Sequence, residues 1–174
     1  PTVTSSTTND NPPTIAGTFD ASDSATFTVV FNSVTYTLSS SNELTNSGDN
    51  WALAIGSALN DATYAVVATS TDANGNDASD STNNEIVIDT AITTPTVVSV
   101  DTSDTTPTVT GTFDDSDYST MVVTLNSVTY SAANGGLTIT GGGADTWSLT
   151  VSNANALSDG TYSITATATD AAGN

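Results

Sequence analysis

The chain has 174 residues and 19 acidic side chains, with no Lys, Arg, His or Cys, so its formal charge is −19. That inventory excludes thiol, Schiff-base and Ser-His chemistry. With no cationic side chain it also excludes a phosphate clamp and a nucleic-acid footprint, and an anionic membrane would repel it.

Hydrophobic residues make up 36% of the chain, and aromatics recur along it, which sets it apart from a disordered acidic segment. Taken in order, the first half predicts short strands of period-two alternation. Ile15, Gly17 and Phe19 share one face, then Phe27, Val29 and Phe31, then Val34, Tyr36 and Leu38. Trp51, Leu53 and Ile55 follow, then Tyr64, Val66 and Ala68, and last Ile86 and Ile88. Thr fills many alternate positions, as suits a half-buried pleated surface. Asp, Asn and Gly punctuate these runs every ten or so residues, and no window predicts a helix, so the reading is a β-sandwich.

The second half repeats the first. "GTFD" and "NSVTY" recur 94 residues on, taking Gly17 to Gly111 and Asn32 to Asn126. Trp51 returns 96 residues later as Trp147 and Tyr64 98 later as Tyr162, so the small insertions flank the Trp strand. Two homologous domains are expected, over residues 1–92 and 93–174. "LNDATY" and "LSDGTY" each place a Tyr at the start of a late strand, like the tyrosine corner of immunoglobulin-like domains. The first copy ends in a strand, "NNEIVIDT" (Asn83 to Thr90), for which the second shows no counterpart, so domain two is expected to lack its last strand. A strand supplied by a following repeat or another chain would complete it; a boundary drawn across a repeat explains the same feature. No apolar run is long enough to span a membrane, no signal peptide is visible, and the opening "PTVTSS" reads as the interior of a longer chain.

The ordered series "PTV", "GTFD", "LNSVTY", "WSL", "LSDGTY" and "ATATDAAGN", with "IVIDT" closing the first copy, resembles the bacterial Ig-like tandem repeats of giant surface adhesins. The resemblance implies an all-β chain of two Ig-like antiparallel β-sandwiches end to end. It also implies an extracellular or cell-surface location, neighbouring repeats as partners, a role as extender rather than enzyme, and calcium at domain junctions.

The acids bear on that last implication. Of the 19, 17 are Asp, and Glu occurs only at Glu43 and Glu85. Asp favours turns, where its short side chain reaches backbone or metal. So large an uncompensated charge calls for cations, and hard divalent ions prefer oxygen ligands. In an Ig-like strand order the loops after the second and sixth strands share one pole with the arriving linker. For copy two these carry Asp114, Asp115 and Asp117, then Asp170 and Asn174, with Asp89 on the linker. Six oxygen-bearing side chains suit a calcium ion, and solvated turn acids are the bland alternative. Copy one offers Asp20, Asp23, Asp72, Asn74 and Asn76 at the same pole.

"NDNPP" and "DTSDTTP" predict corners at the opposite pole, Asp61 and Asp159 turn residues, and Asp77 and Asp80 solvated acids of an extended loop. Trp51, Trp147 and Tyr118 invite a carbohydrate-binding reading, but the parity of both Trp residues with Leu53 and Leu149 predicts core packing. Paired carboxylates could also serve a glycosidase. Duplication of the same short acidic loops favours a spacer, since a spacer gains from copying.

Overall fold

The computed structural model describes residues 1–80 and 82–174. Two compact units divide the chain, Pro1–Thr90 and Ala91–Asn174.

In unit 1, one sheet has the order β1-β3-β7-β6, formed by Thr2–Val3, Thr14–Thr18, Asn50–Ala54 and Leu44–Ser47. The facing layer has the order β10-β9-β4-β5, from Asp77–Ser79, Val66–Thr71, Thr26–Phe31 and Val34–Thr37. A third set, β2-β11-β8, comprises Ser6–Thr8, Ile86–Ile88 and Ala62–Tyr64. Only Ala65 separates β8 from β9, so one strand course serves both sets. The first strand course is also divided: β1 lies antiparallel on β3, whereas β2 runs parallel to β11. That parallel pair is the exception in an otherwise antiparallel sandwich.

Alternation explains the core. Ile15, Phe19, Phe27, Val29, Phe31, Trp51, Leu53, Val66, Ala68, Ile86 and Ile88 are all buried, as the period-two pattern predicts. A fully buried side chain of this kind contributes roughly 1.5–3 kcal/mol. Phe19 stacks on Phe27 with ring centroids 4.2 Å apart, and Phe27 leans on Trp51. Val34 departs from the pattern. As the first residue of edge strand β5, directly after the hairpin turn, it is 50% exposed.

Several features were outside the strand prediction, among them β1 and β2. Strand β6 has one buried residue, Leu44, ahead of three exposed ones, too little for alternation to register. Strand β10 contains Asp77, so that acid lies on a strand paired with Thr71 and not in an extended loop. Glu85 is buried just before β11. Its Oε2 accepts the Val66 N–H at 2.9 Å, its backbone carbonyl accepts the Ser6 N–H, and its Oε1 has no hydrogen-bond partner among the described residues.

Unit 2 repeats the plan with β12 (Thr108–Thr112), β16 (Thr146–Thr150) and β15 (Leu137–Thr140) in one sheet. The other contains β14 (Val128–Ser131), β13 (Thr120–Leu125) and β17 (Ile164–Thr169). Among the described residues of unit 2, none stands where β10 and β11 stand in unit 1.

The same local solutions recur in both units. Asn32-Ser33 and Asn126-Ser127 turn their hairpins with both residues at positive φ, the two-residue geometry that suits twisted strands. Tyr64 and Tyr162 each donate their hydroxyl to a carbonyl four residues earlier, Asn60 and Ser158, completing the tyrosine corners. The Trp51 indole N–H donates to the Thr2 carbonyl at 3.1 Å, and the Trp147 indole donates to Thr96 at 3.0 Å. Gly17 and Gly111 make those bonds possible, because a Cβ at either would run into both the carbonyl oxygen and the indole ring.

Gly17→Ala should therefore break the Trp51 anchor or push β1 from β3, destabilising unit 1 by about 3 kcal/mol. Chemical denaturation with Trp fluorescence measures this. A loss below roughly 0.5 kcal/mol would show that the close approach is not needed.

Candidate functional site

The acids serve their own turns first. In unit 1, Asp20 Oδ1 accepts the Ser22 N–H, the Ser22 hydroxyl and the Asp23 N–H, at 2.7 to 3.2 Å. Asp114 does the same in unit 2, taking the Ser116 N–H at 3.0 Å and its hydroxyl at 2.6 Å. Thr93 also donates its hydroxyl to Asp114. These bonds hold the Asp20 and Asp114 carboxyls below the usual carboxylate range, the Ser side-chain hydroxyl first in each case.

The "TDANGN" corner closes on itself. Asp72 Oδ1 accepts the N–H groups of Asn74 and Asn76 at 2.8 and 2.9 Å, and Oδ2 accepts the Asn76 side-chain amide at 2.8 Å. Gly75 supplies the positive φ of 85° that the turn requires. "TDAAGN" repeats this with Asp170, which accepts the Gly173 and Asn174 N–H groups at 2.7 and 2.9 Å and the Asn174 amide at 2.7 Å. The middle position, Asn in one copy and Ala in the other, contributes only its backbone in the bonds common to both. Asp72 is held low chiefly by the Asn76 amide. Burial pushes the Asp170 carboxyl up, but the Asn174 amide and the backbone N–H groups of Asn174, Gly173 and Ala172 together hold it low.

Of the candidate ligands within unit 2, Asp117 and Asp170 bring carboxylate oxygens within 4.8 Å of one another, on the loops after β12 and β17. Those loops are tied by the Ser119 N–H to the Thr169 carbonyl at 2.7 Å, as Ala25 is tied to Thr71 in unit 1. Asp115 turns elsewhere: its Oδ2 accepts the Gly142 N–H at 2.9 Å, so it braces the glycine-rich loop before β16. Asp89 follows β11 in unit 1, where its N–H donates to the Thr8 carbonyl at 3.1 Å. Asp23 is exposed beside Asp20.

Other acids also differ from their sequence reading. Asp61 reaches 29 residues along the chain to accept the Thr90 N–H and hydroxyl, fastening the end of β11 rather than only its own turn. Tyr118 packs edge-on to Phe113 with ring centroids 4.7 Å apart, at the margin of the unit 2 core. Trp51 and Trp147 are each 1% exposed and cannot offer a ring to a sugar.

A family model described as bacterial Ig-like domain matches residues 2–90 and again 98–174, in agreement with the two sandwiches. The chain belongs to the bacterial Ig-like domain family. Domains of this kind are typically non-enzymatic modules of extracellular or surface proteins, and no helix of the described residues is long and apolar enough to cross a membrane. No curated protein matches the chain. Among solved structures, a chimeric titin tandem functionalised with an exogenous fibronectin peptide is 16% identical, covering 97% of this chain and 95% of that one with a TM-score of 0.36.

The lowered Asp72 and Asp170 carboxyls contribute stability that is complete above their unfolded-state titration. It is lost as pH falls through the lower folded-state values. A carboxyl-resolved NMR titration should place both midpoints below 3.8, the ordinary value. Asn76→Ala should move the Asp72 midpoint back towards it; an unmoved midpoint would remove the Asn76 amide as the cause.

Proposed function

We propose that the chain is an extender module of a long extracellular adhesin or fibre, stiffened by calcium where successive repeats meet. The observation that carries this reading is the pairing of Asp117 and Asp170 in a chain with no Lys, Arg or His. Two like carboxylates held this close repel each other, and in a chain without cationic side chains an external cation is a natural counter-charge. Calcium is a hard ion that takes six to eight oxygens in flexible geometry. Asp89, two residues before unit 2 begins, would supply a third carboxylate, with Asp114 and Asn174 as further oxygen sources. In unit 1, Asp20, Asp23 and Asp72 would await the linker of a preceding repeat.

The mechanical logic is simple. Domains joined by a short linker swing by default, since small polar contacts rarely fix them. An ion shared by the linker and the next domain ties the two together. At a hundredfold excess over its dissociation constant such an ion adds about 2.7 kcal/mol of native-state stability. A spacer gains from repetition, which accounts for near-identical loops and corners in both copies.

Adding calcium to the metal-free chain should raise the melting temperature and narrow the distribution of inter-domain distances seen by X-ray scattering. Chelator should reverse both. Asp89→Ala and Asp117→Ala should each blunt the response while leaving both sandwiches folded by circular dichroism. Identical melting and scattering with calcium and with chelator would sink the calcium reading.

A further inference from the structure

Two Asn-Gly pairs occur in the chain, Asn74-Gly75 in the turn between β9 and β10 and Asn134-Gly135 in the turn between β14 and β15. Both glycines have positive φ, 85° and 84°, and a Cβ added at either would meet nothing within 4 Å. In such a pair the asparagine side chain is open to attack by its own main chain. The following nitrogen has no side chain beside it, and glycine reaches the backbone angles that bring it to the carboxamide carbon.

The two carboxamides are held very differently. Asn134 accepts the Ser131 N–H on Oδ1 at 2.6 Å and donates its amide to the Thr129 carbonyl at 2.9 Å, so both of its ends are tied to main chain. Asn74 is exposed and enters its turn through its backbone N–H, which Asp72 Oδ1 accepts. The Asn76 amide leads the contacts that hold the Asp72 carboxyl low, and the Asn74 amide comes last. The second copy shows how little the turn needs it. With Ala172 in that place, Asp170 still gathers the Gly173 and Asn174 N–H groups and the Asn174 amide. The attacking nitrogens do not differ in this way, since the Gly75 and Gly135 N–H groups reach carbonyls at 3.2 and 3.1 Å.

We propose that Asn74 is a site of self-modification, where the carboxamide becomes a carboxylate with water as the only co-reactant, and that Asn134 is protected from the same reaction. The Gly75 nitrogen gives up its proton and bonds to Asn74 Cγ. The Cγ–Nδ2 bond breaks, its nitrogen leaves as ammonia, and a cyclic imide closes. Water then opens the imide on one side or the other. Breaking the new Cγ–N bond leaves aspartate; breaking the original peptide bond leaves isoaspartate, whose main chain runs through Cβ and Cγ. Nothing is oxidised or reduced. Either product places a further negative charge two residues from Asp72, where like charges disfavour each other. Isoaspartate also lengthens the main chain between Asp72 and Asn76, which the Asp72 N–H joins to the Asn76 carbonyl at 3.0 Å. The corresponding turn of unit 2, with Ala172, is exempt. This inference is independent of calcium.

The test is incubation of the intact chain at mildly alkaline pH, with samples digested by pepsin and mapped by mass spectrometry. Electron-transfer fragmentation separates aspartate from isoaspartate, and a parallel sample in urea supplies the unfolded rates. The expected result is conversion at Asn74 in the folded chain, with Asn134 slower by about tenfold or more because its two bonds must break first. In urea the two rates converge. The idea is overturned if Asn74 stays an amide in the folded chain, or if Asn134 keeps pace with it there. It is also overturned if Asn134 lags equally in urea, since its neighbours in sequence, and not its hydrogen bonds, would then set the difference.

Discussion

The bond from a tryptophan indole to a carbonyl on the first strand course, made across a glycine, is the constraint on which each sandwich depends. Trp51 and Trp147 are the largest buried side chains of their units, and each carries one polar hydrogen into the core. Left without an acceptor, that N–H would cost about 1–3 kcal/mol. The Thr2 and Thr96 carbonyls accept it, and in doing so fix where the chain begins to lie on its second strand. Only glycine leaves room for the ring and the carbonyl together. Three sequence features separated by dozens of residues thus act as one device, which explains why "GTFD" and the Trp reappear together in the second copy.

With that device in place, the aspartates take a defined part. Asp20, Asp72, Asp114 and Asp170 each accept two or more hydrogen bonds from donors within four residues, making them the pins of the loops at one pole. Asp suits this work better than Glu, because its shorter side chain reaches the backbone of its own turn. The charge left over is a consequence of building turns this way with no cationic residues to answer it. Acidity here is therefore a by-product of turn chemistry, and also the feature that makes a divalent cation a fitting partner.

What could be read from sequence follows from how each feature is encoded. The buried faces of β3, β4, β7 and β9 were legible because alternation repeats along each strand and again in the second copy, and that of β11 because Ile86 and Ile88 alternate. The tyrosine corners were legible for the same reason of duplication. Strand β6 was not, since one leucine and three polar residues give no period. Nor was the departure of Asp115, whose partner is a backbone N–H 27 residues away in a loop of different length in the two copies. The split of the first strand course between two sheets also left no trace, because pairing partners are a tertiary matter. Glu85 did leave a signal, as one of only two glutamates among the acids and the residue directly before an Ile-Val-Ile run.

Glu85 also explains why the last strand course matters more than its three residues suggest. A buried carboxylate is costly unless its hydrogen bonds repay the desolvation. Here one oxygen holds the N–H of Val66 where the strand course breaks at Ala65, and the residue's own carbonyl holds Ser6. The glutamate thus joins the first, penultimate and last strand courses at one point, and Ile86 and Ile88 seal the core beside it. Asp61 fastens the far end of the same segment through Thr90. The segment is held by polar bonds at both ends and by apolar burial between them, so its pairing register is set three times over.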